Sequence, residues 1–134
     1  MRIRHVEKSR YRIYLQKAGE FYEEMEAALA GGRWNAVGLN GIHCLISSCD
    51  ALTVCFLGKR SASQRHEDVV KLINELDIDE KTKRSRLGQA LSILQPKTKV
   101  EYEGELFTEK EARPMAKRVE RFYAWAREML GVQG

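Results

Sequence analysis

The chain has 134 residues, 43% apolar and 31% charged, with a formal net charge of +4 and a pI near 9.0. That is the size of one ordinary domain with enough apolar material for a core, and the mild positive balance permits a nucleic-acid partner without demanding one. Nothing resembles a signal peptide in the charged opening MRIRHVEKSRYR, no apolar run suggests a membrane span, and the three cysteines match no zinc pattern.

Apolar residues recur with a period near 3.6 along most of the chain. The spacing predicts a first helix over about 6–29, with Tyr11, Leu15, Ala18, Tyr22, Met25 and Leu29 along one side and Gly31-Gly32 as its stop. A second helix is predicted over about 33–57, ending at Gly58. A third over about 63–76 turns Val69, Val70, Ile73 and Leu76 inward, with Ser61 or Ser63 as its cap. Asp77 or Asp79 opens a fourth, whose stripe is Leu87, Ala90, Leu91 and Leu94 and whose end is Pro96.

The stretch KTKVEYEGELF, 97–107, breaks the helical pattern. Val100 and Tyr102 alternate with charges and Gly104 offers a turn, so a long loop or a small hairpin is expected, with Tyr102 as an anchor of the loop or a lid over a cleft. Thr108 followed by Glu111 is a capping box for a last helix. That helix buries Ala112, Met115, Val119, Phe122, Ala126 and Leu130, and Pro114 should bend it. The expected architecture is an all-α, up-and-down bundle of about five helices in a single domain over 1–134.

Cys44, Cys49 and Cys55 all fall in the second helix. Cys44 and Cys49 would differ in height by roughly 7.5 Å, too far for a good disulfide. Three reduced thiols in a soluble cytoplasmic protein are expected.

The second helix is apolar nearly all round, which marks a central, buried element. One narrow arc is polar: Asn40, His43, Ser47 and Asp50, at spacings of three and four. Three readings stand side by side. The arc hydrogen-bonds to neighbouring helices, lines a wet cleft, or faces a second copy of the chain. Gly38 and Gly41 each cost the helix roughly 1 kcal/mol relative to alanine, which points to close approach of another helix.

His66 shares the inward side of the third helix with Val69, Val70 and Ile73, and lies in its first turn if that helix begins at Ser63. Lys59, Arg60 and Arg65 add positive charge beside a helix start, the ingredients of an anion site. A positive surrounding favours neutral imidazole, which can take a proton. Cleavage of RNA needs a base for the 2′-hydroxyl and a cation for the charge that gathers on phosphorus, and one His with one Arg meets both needs without a metal or cofactor. The plain alternative is a structural or solvated histidine. The basic cluster Lys81, Lys83, Arg84 and Arg86 offers electrostatic steering of RNA, although Asp77, Asp79 and Glu80 balance it.

Three stretches resemble the HEPN domain family, small all-α domains named for higher eukaryotes and prokaryotes nucleotide-binding. They are AVGLNGIHCLISSCDAL at 36–52, the turn GKRSASQRHEDVVKLI, and the tail VEYEGELFTEKEA followed by a helix ending FYAWAREML. The turn fits the family's arginine, four to six residues, then histidine: here Arg60, five residues, His66. The resemblance covers most of the chain. It implies a helical bundle, usually dimeric, whose active members are metal-independent ribonucleases. Some members are toxins paired with a small nucleotidyltransferase antitoxin, and others bind nucleotides or proteins without catalysis. By position it implies that Arg60 stabilises phosphate, that His66 is base or acid, and that Asp50 orients one of them. Lys59, Arg65 and His43 join Arg60 as expected phosphate-binding residues. The homodimer is expected to use the first and second helices. Two positions depart from the pattern. Ser61 follows the arginine where many active members carry Asn, Asp or His, and Asp68 stands where some toxins carry a tyrosine that receives a nucleotide.

Overall fold

The computed structural model describes residues 1–63, 65–96 and 104–132. A short strand, β1 (Ile3–His5), leads through a 3-10 turn at Lys8–Arg10 into α1 (Tyr11–Ala30). A tight connection joins α1 to α2 (Trp34–Leu57), and β2 (Lys59–Ser61) follows at once. Then come α3 (His66–Lys71), a 3-10 turn at Leu72–Glu75, α4 (Glu80–Leu94) and α5 (Glu109–Met129). The described residues thus form an all-α bundle of five helices with one two-stranded sheet.

Two glycines set the path of α2. Gly32, at φ +69°, reverses the chain so that α2 runs back along α1, with the Arg33 N–H on Ala28 O at 2.9 Å. Gly58, also at φ +69°, ends α2 in the left-handed conformation, with its N–H on Val54 O at 3.0 Å. Between them α2 buries Val37, Ile42, Cys44, Leu45, Leu52 and Val54. It has the length and apolarity of a membrane span, but 67% of that apolar window is buried inside the bundle. α5 closes the other side with Met115, Val119, Phe122, Trp125 and Ala126. Its start carries the expected capping box: the Thr108 hydroxyl accepts from the Glu111 N–H and the Glu111 carboxylate accepts from the Thr108 N–H.

Gly41 is where the helices meet. A Cβ there would lie 3.3 Å from Met25 Sδ and Val119 Cγ2 and 3.4 Å from Met115 Sδ. The methionine ends can yield, while Val119 is stiff at χ1. Gly41→Ala therefore shifts stability by less than about 1 kcal/mol, because helix propensity offsets crowding. Gly41→Val, with two further methyls and no room, costs about 1–3 kcal/mol in urea unfolding.

The structure departs from the sequence expectations at several points. The first helix starts at Tyr11 rather than near residue 6, because Val6 is held by Gly58 O at the end of the β1–β2 ladder and Lys8–Arg10 wind as a 3-10 turn. The third helix is six residues long, and its downstream half winds as a 3-10 turn. On α4 the inward positions are Ala90, Ile93 and Leu94, while Leu91 is 46% exposed. Its cap is one of the two expected aspartates, Asp79, which accepts the Thr82 N–H at 2.9 Å. As expected, Pro114 lies within α5, beyond its first turn. Leu130 is half-buried. The expected hairpin, with Val100 and Tyr102, lies outside the described residues.

The three thiols are free. Burial pushes Cys44 up to about 12 and Cys49 well above the ordinary thiol value. Cys55 is half-buried and raised by burial, against the pull of Lys8 and Arg12. In an Ellman titration Cys55 is the thiol that reacts in the native state, and the other two appear only on unfolding in urea.

Candidate functional site

The reversal at Gly58 lays β2 back beside α2 and brings Arg60 to Asp50. Arg60 Nη2 donates to Asp50 Oδ2 at 3.2 Å. The Asp50 side chain is 4% exposed and that of Arg60 26%. The guanidinium also lies over the Tyr14 ring, 5.2 Å from its centroid. β2 is held in this place by β1 in an antiparallel pairing of Ile3 with Ser61, Arg4 with Arg60 and His5 with Lys59.

Burial pushes the Asp50 carboxyl from 3.8 up to about 6, outweighing the pull of Arg60 and, more weakly, of Lys17. The pairing is single-pronged. Asp50 Oδ1 and Arg60 Nε are buried without a hydrogen-bond partner among the described residues. A carboxylate so placed holds its arginine but is itself close to protonation at mildly acidic pH.

His66 opens α3 and meets the same helix further toward its start. Its ring stands edge-on to His43, centroid to centroid 6.2 Å at 71°. His43 is in turn stacked on Phe21 at 5.3 Å. Arg60 and His66 are therefore both docked on the polar arc of α2, at Asp50 and His43. Those two positions are seven residues apart, roughly 10 Å along the axis. Asp50 orients Arg60; the neighbour of His66 is His43. The rest of the arc divides. Ser47 is buried between them, and Asn40 Nδ2 donates to Ala36 O of its own helix at 2.9 Å. Asn40 also borders a groove of about 390 Å³ that Lys17, Phe21 and Glu24 line from α1.

Two of the expected phosphate-binding residues stand apart from this cluster. Successive strand residues point to opposite faces, so Lys59 turns away from Arg60 and pairs with Glu75 at 2.7 Å. Arg65 is exposed. The expected anion site at the helix start is not built either. α3 is too short for a substantial dipole, and the loop before it closes on itself. Ser63 Oγ accepts the Arg65 N–H at 3.0 Å and donates to Asp68 at 2.8 Å, while Ser61 Oγ accepts the Ser63 N–H at 3.1 Å. Among the described residues no group of three His, Cys, Asp or Glu is placed to hold a metal ion.

Sequence reasoning missed four contributors. Tyr14, Lys17 and Phe21 form their own stripe on α1 at spacings of three and four, a signal legible in the sequence but overshadowed by the more apolar stripe beside it. Arg4, opposite Arg60, had no signal at all, because a three-residue strand of exposed residues has no apolar alternation. Compared with protein-family models, with curated proteins and with solved structures, the chain matches none, so its chemistry is argued from these side chains.

Proposed function

We propose that the chain is a HEPN-like protein acting on RNA or nucleotides, a metal-independent endoribonuclease with Arg60 as the phosphate-binding cation and His66 as the base or acid. The observation that supports it is the docking of the motif's arginine and histidine on one polar arc, through Asp50 and His43. In this reading His66 takes the 2′-hydroxyl proton while the 2′-oxygen attacks the adjacent phosphorus. The P–O5′ bond breaks, the 5′-oxygen takes a proton from water, and a 2′,3′-cyclic phosphate remains. Arg60 offers positive charge to the phosphorane oxygens. Two copies pair through α1 and α2 in the cytoplasm.

The engagement of Arg60 by both Asp50 and Tyr14 favours a second reading, a non-catalytic module that binds a nucleotide or a protein through the same arc. In a third arrangement the chain is a toxin held by a nucleotidyltransferase. Attachment of a nucleotide at position 68 has no hydroxyl to act on there, since the residue is Asp68 tied to Ser63.

Pure protein incubated with labelled RNA in EDTA, beside Arg60→Ala and His66→Ala, separates the first two. Cleavage lost in both variants supports the nuclease. Intact RNA, with nucleotide binding that depends on Arg60, supports the module. Growth arrest on expression that a nucleotidyltransferase relieves supports the toxin.

A further inference from the structure

The positive charge of this chain has one address. Five of the 23 basic residues and one of the 19 acidic residues lie in residues 1–12, so that segment carries a formal +4 and the remainder balances at 18 against 18. The five are Arg2, Arg4, Lys8, Arg10 and Arg12, and all are exposed. Among the described residues none of them pairs with a carboxylate.

The fold pins this segment beside Arg60. Ala62 N–H bonds to Arg2 O and Val6 N–H to Gly58 O, both at 2.9 Å, at the two ends of the β1–β2 ladder. Arg4 is the cross-strand partner of Arg60, and directly opposed strand residues share a face, with Cβ atoms about 5 Å apart. Like charges so placed repel, and a bundle free to vary the position gains nothing from them. Arg60 and Lys59 are neutralised by Asp50 and Glu75, whereas Arg4 faces Arg60 with no counter-charge of its own. The nearby C-terminal end of α2 supplies only about half a negative charge, well short of the four in excess.

We infer that the N-terminal ribbon is a docking surface for the phosphate backbone of single-stranded RNA, with Arg4 and Arg2 holding phosphates next to the one at Arg60. Residues two apart on a strand lie on one face about 6.6–7 Å apart, a spacing comparable with that of successive phosphates along a strand. Arg2, Arg4 and Arg60 then form a corner, with Arg2 along the strand from Arg4 and Arg60 directly across from it, and Arg60 belongs to the site on α2. The choice of RNA rests on the function proposed above. The ribbon contributes affinity and register, not base choice.

Fluorescence anisotropy tests it, with a labelled single-stranded polyuridine, EDTA present and KCl varied, in a His66→Ala background so that the probe stays whole. Arg2→Gln/Arg4→Gln is expected to weaken binding on the order of ten-fold at low salt and to reduce the slope of log affinity against log salt by roughly 1.4, about 0.7 for each phosphate no longer neutralised. Arg2→Lys/Arg4→Lys retains the wild-type slope. Lys117→Gln/Arg121→Gln, an equal loss of exposed charge on α5, leaves both quantities unchanged. Should the glutamine pair melt early by circular dichroism, Arg2→Gln alone, outside the strand, is expected to reduce the slope by roughly 0.7. Equal losses from the ribbon and from α5, no loss from the ribbon, no RNA binding at all, or binding only to phosphatidylserine vesicles would each overturn the proposal. RNA cleavage by the His66-containing chain is scored separately. Its absence together with a ribbon-dependent slope sinks the nuclease and spares the ribbon, and cleavage with a ribbon-independent slope does the reverse.

Discussion

Replacing His66 with alanine is expected, on the proposed function, to lower the rate of RNA cleavage in EDTA by roughly 10²- to 10⁴-fold, the usual contribution of a positioned general base or acid. On the same reading, replacing Arg60 is expected to remove charge stabilisation at the phosphorane and to cost roughly 10²- to 10³-fold. Arg60→Ala alone is an ambiguous probe, however. It strands Asp50 as a buried carboxylate without its cation, which is worth about 3–5 kcal/mol of stability. Arg60→Lys keeps a charge near Asp50 but loses the planar fork and the stacking on Tyr14. The informative set is therefore His66→Ala, Arg60→Lys and the pair Arg60→Ala/Asp50→Asn, each with a denaturation curve beside its rate. Two groups acting in one step are not additive, so His66→Ala combined with Arg60→Lys should lose little more than the worse single variant. Losses that simply multiply would mean that the two residues do not act on a common phosphate. Wild-type rates in His66→Ala would remove the histidine from the chemistry altogether.

How far the sequence alone reaches is clear from individual residues. The helices came through because burial imposes a period: Val37, Ile42, Leu45 and Leu52 on α2, and Met115, Val119, Phe122 and Ala126 on α5, are core in fact as in pattern. The capping box at Thr108 was legible because a side chain and a backbone N–H three residues apart decide it locally. The salt bridge of Arg60 with Asp50 was only half legible. The polar arc on α2 was visible, but which cation it held depended on the reversal at Gly58 and on the partner strand at residues 3–5. β1 has three exposed residues, no apolar alternation and no turn joining it to its partner, since the whole of α1 and α2 intervenes. Long-range pairing of that kind leaves no periodic trace. The start of the third helix was misplaced for a different, local reason. Residues 63–65 read as a helix start by composition, whereas the hydroxyls of Ser61 and Ser63 close a loop that delays the helix to His66.

The Asp50 carboxyl gives the second large effect, and its sign is the reverse of the ordinary aspartate. In the unfolded chain it titrates at 3.8; in the fold burial holds it near 6 against Arg60 on β2 and Lys17 on α1. The folded state therefore binds this proton more tightly than the unfolded state does. The resulting stability is fully present below pH 3.8 and is lost as pH rises through 6. A shift of about two pH units corresponds to about 3 kcal/mol. Asp50→Asn cannot titrate, so its stability relative to wild type should rise by about 3 kcal/mol between pH 3.5 and 7 and be level on either side. All other carboxylates and the three histidines are common to both proteins and drop out of the difference, which urea unfolding at a series of pH values reads directly. A difference that does not vary with pH would show that Asp50 titrates in the fold at its unfolded value, with no net effect of burial. The same proton reaches the proposed function. Neutralising Asp50 frees the guanidinium of Arg60 from its counter-charge, so wild-type affinity for RNA should gain on that of Asp50→Asn as pH falls from 7 to 5. The two converge at the acid end, because the variant behaves there like the protonated protein.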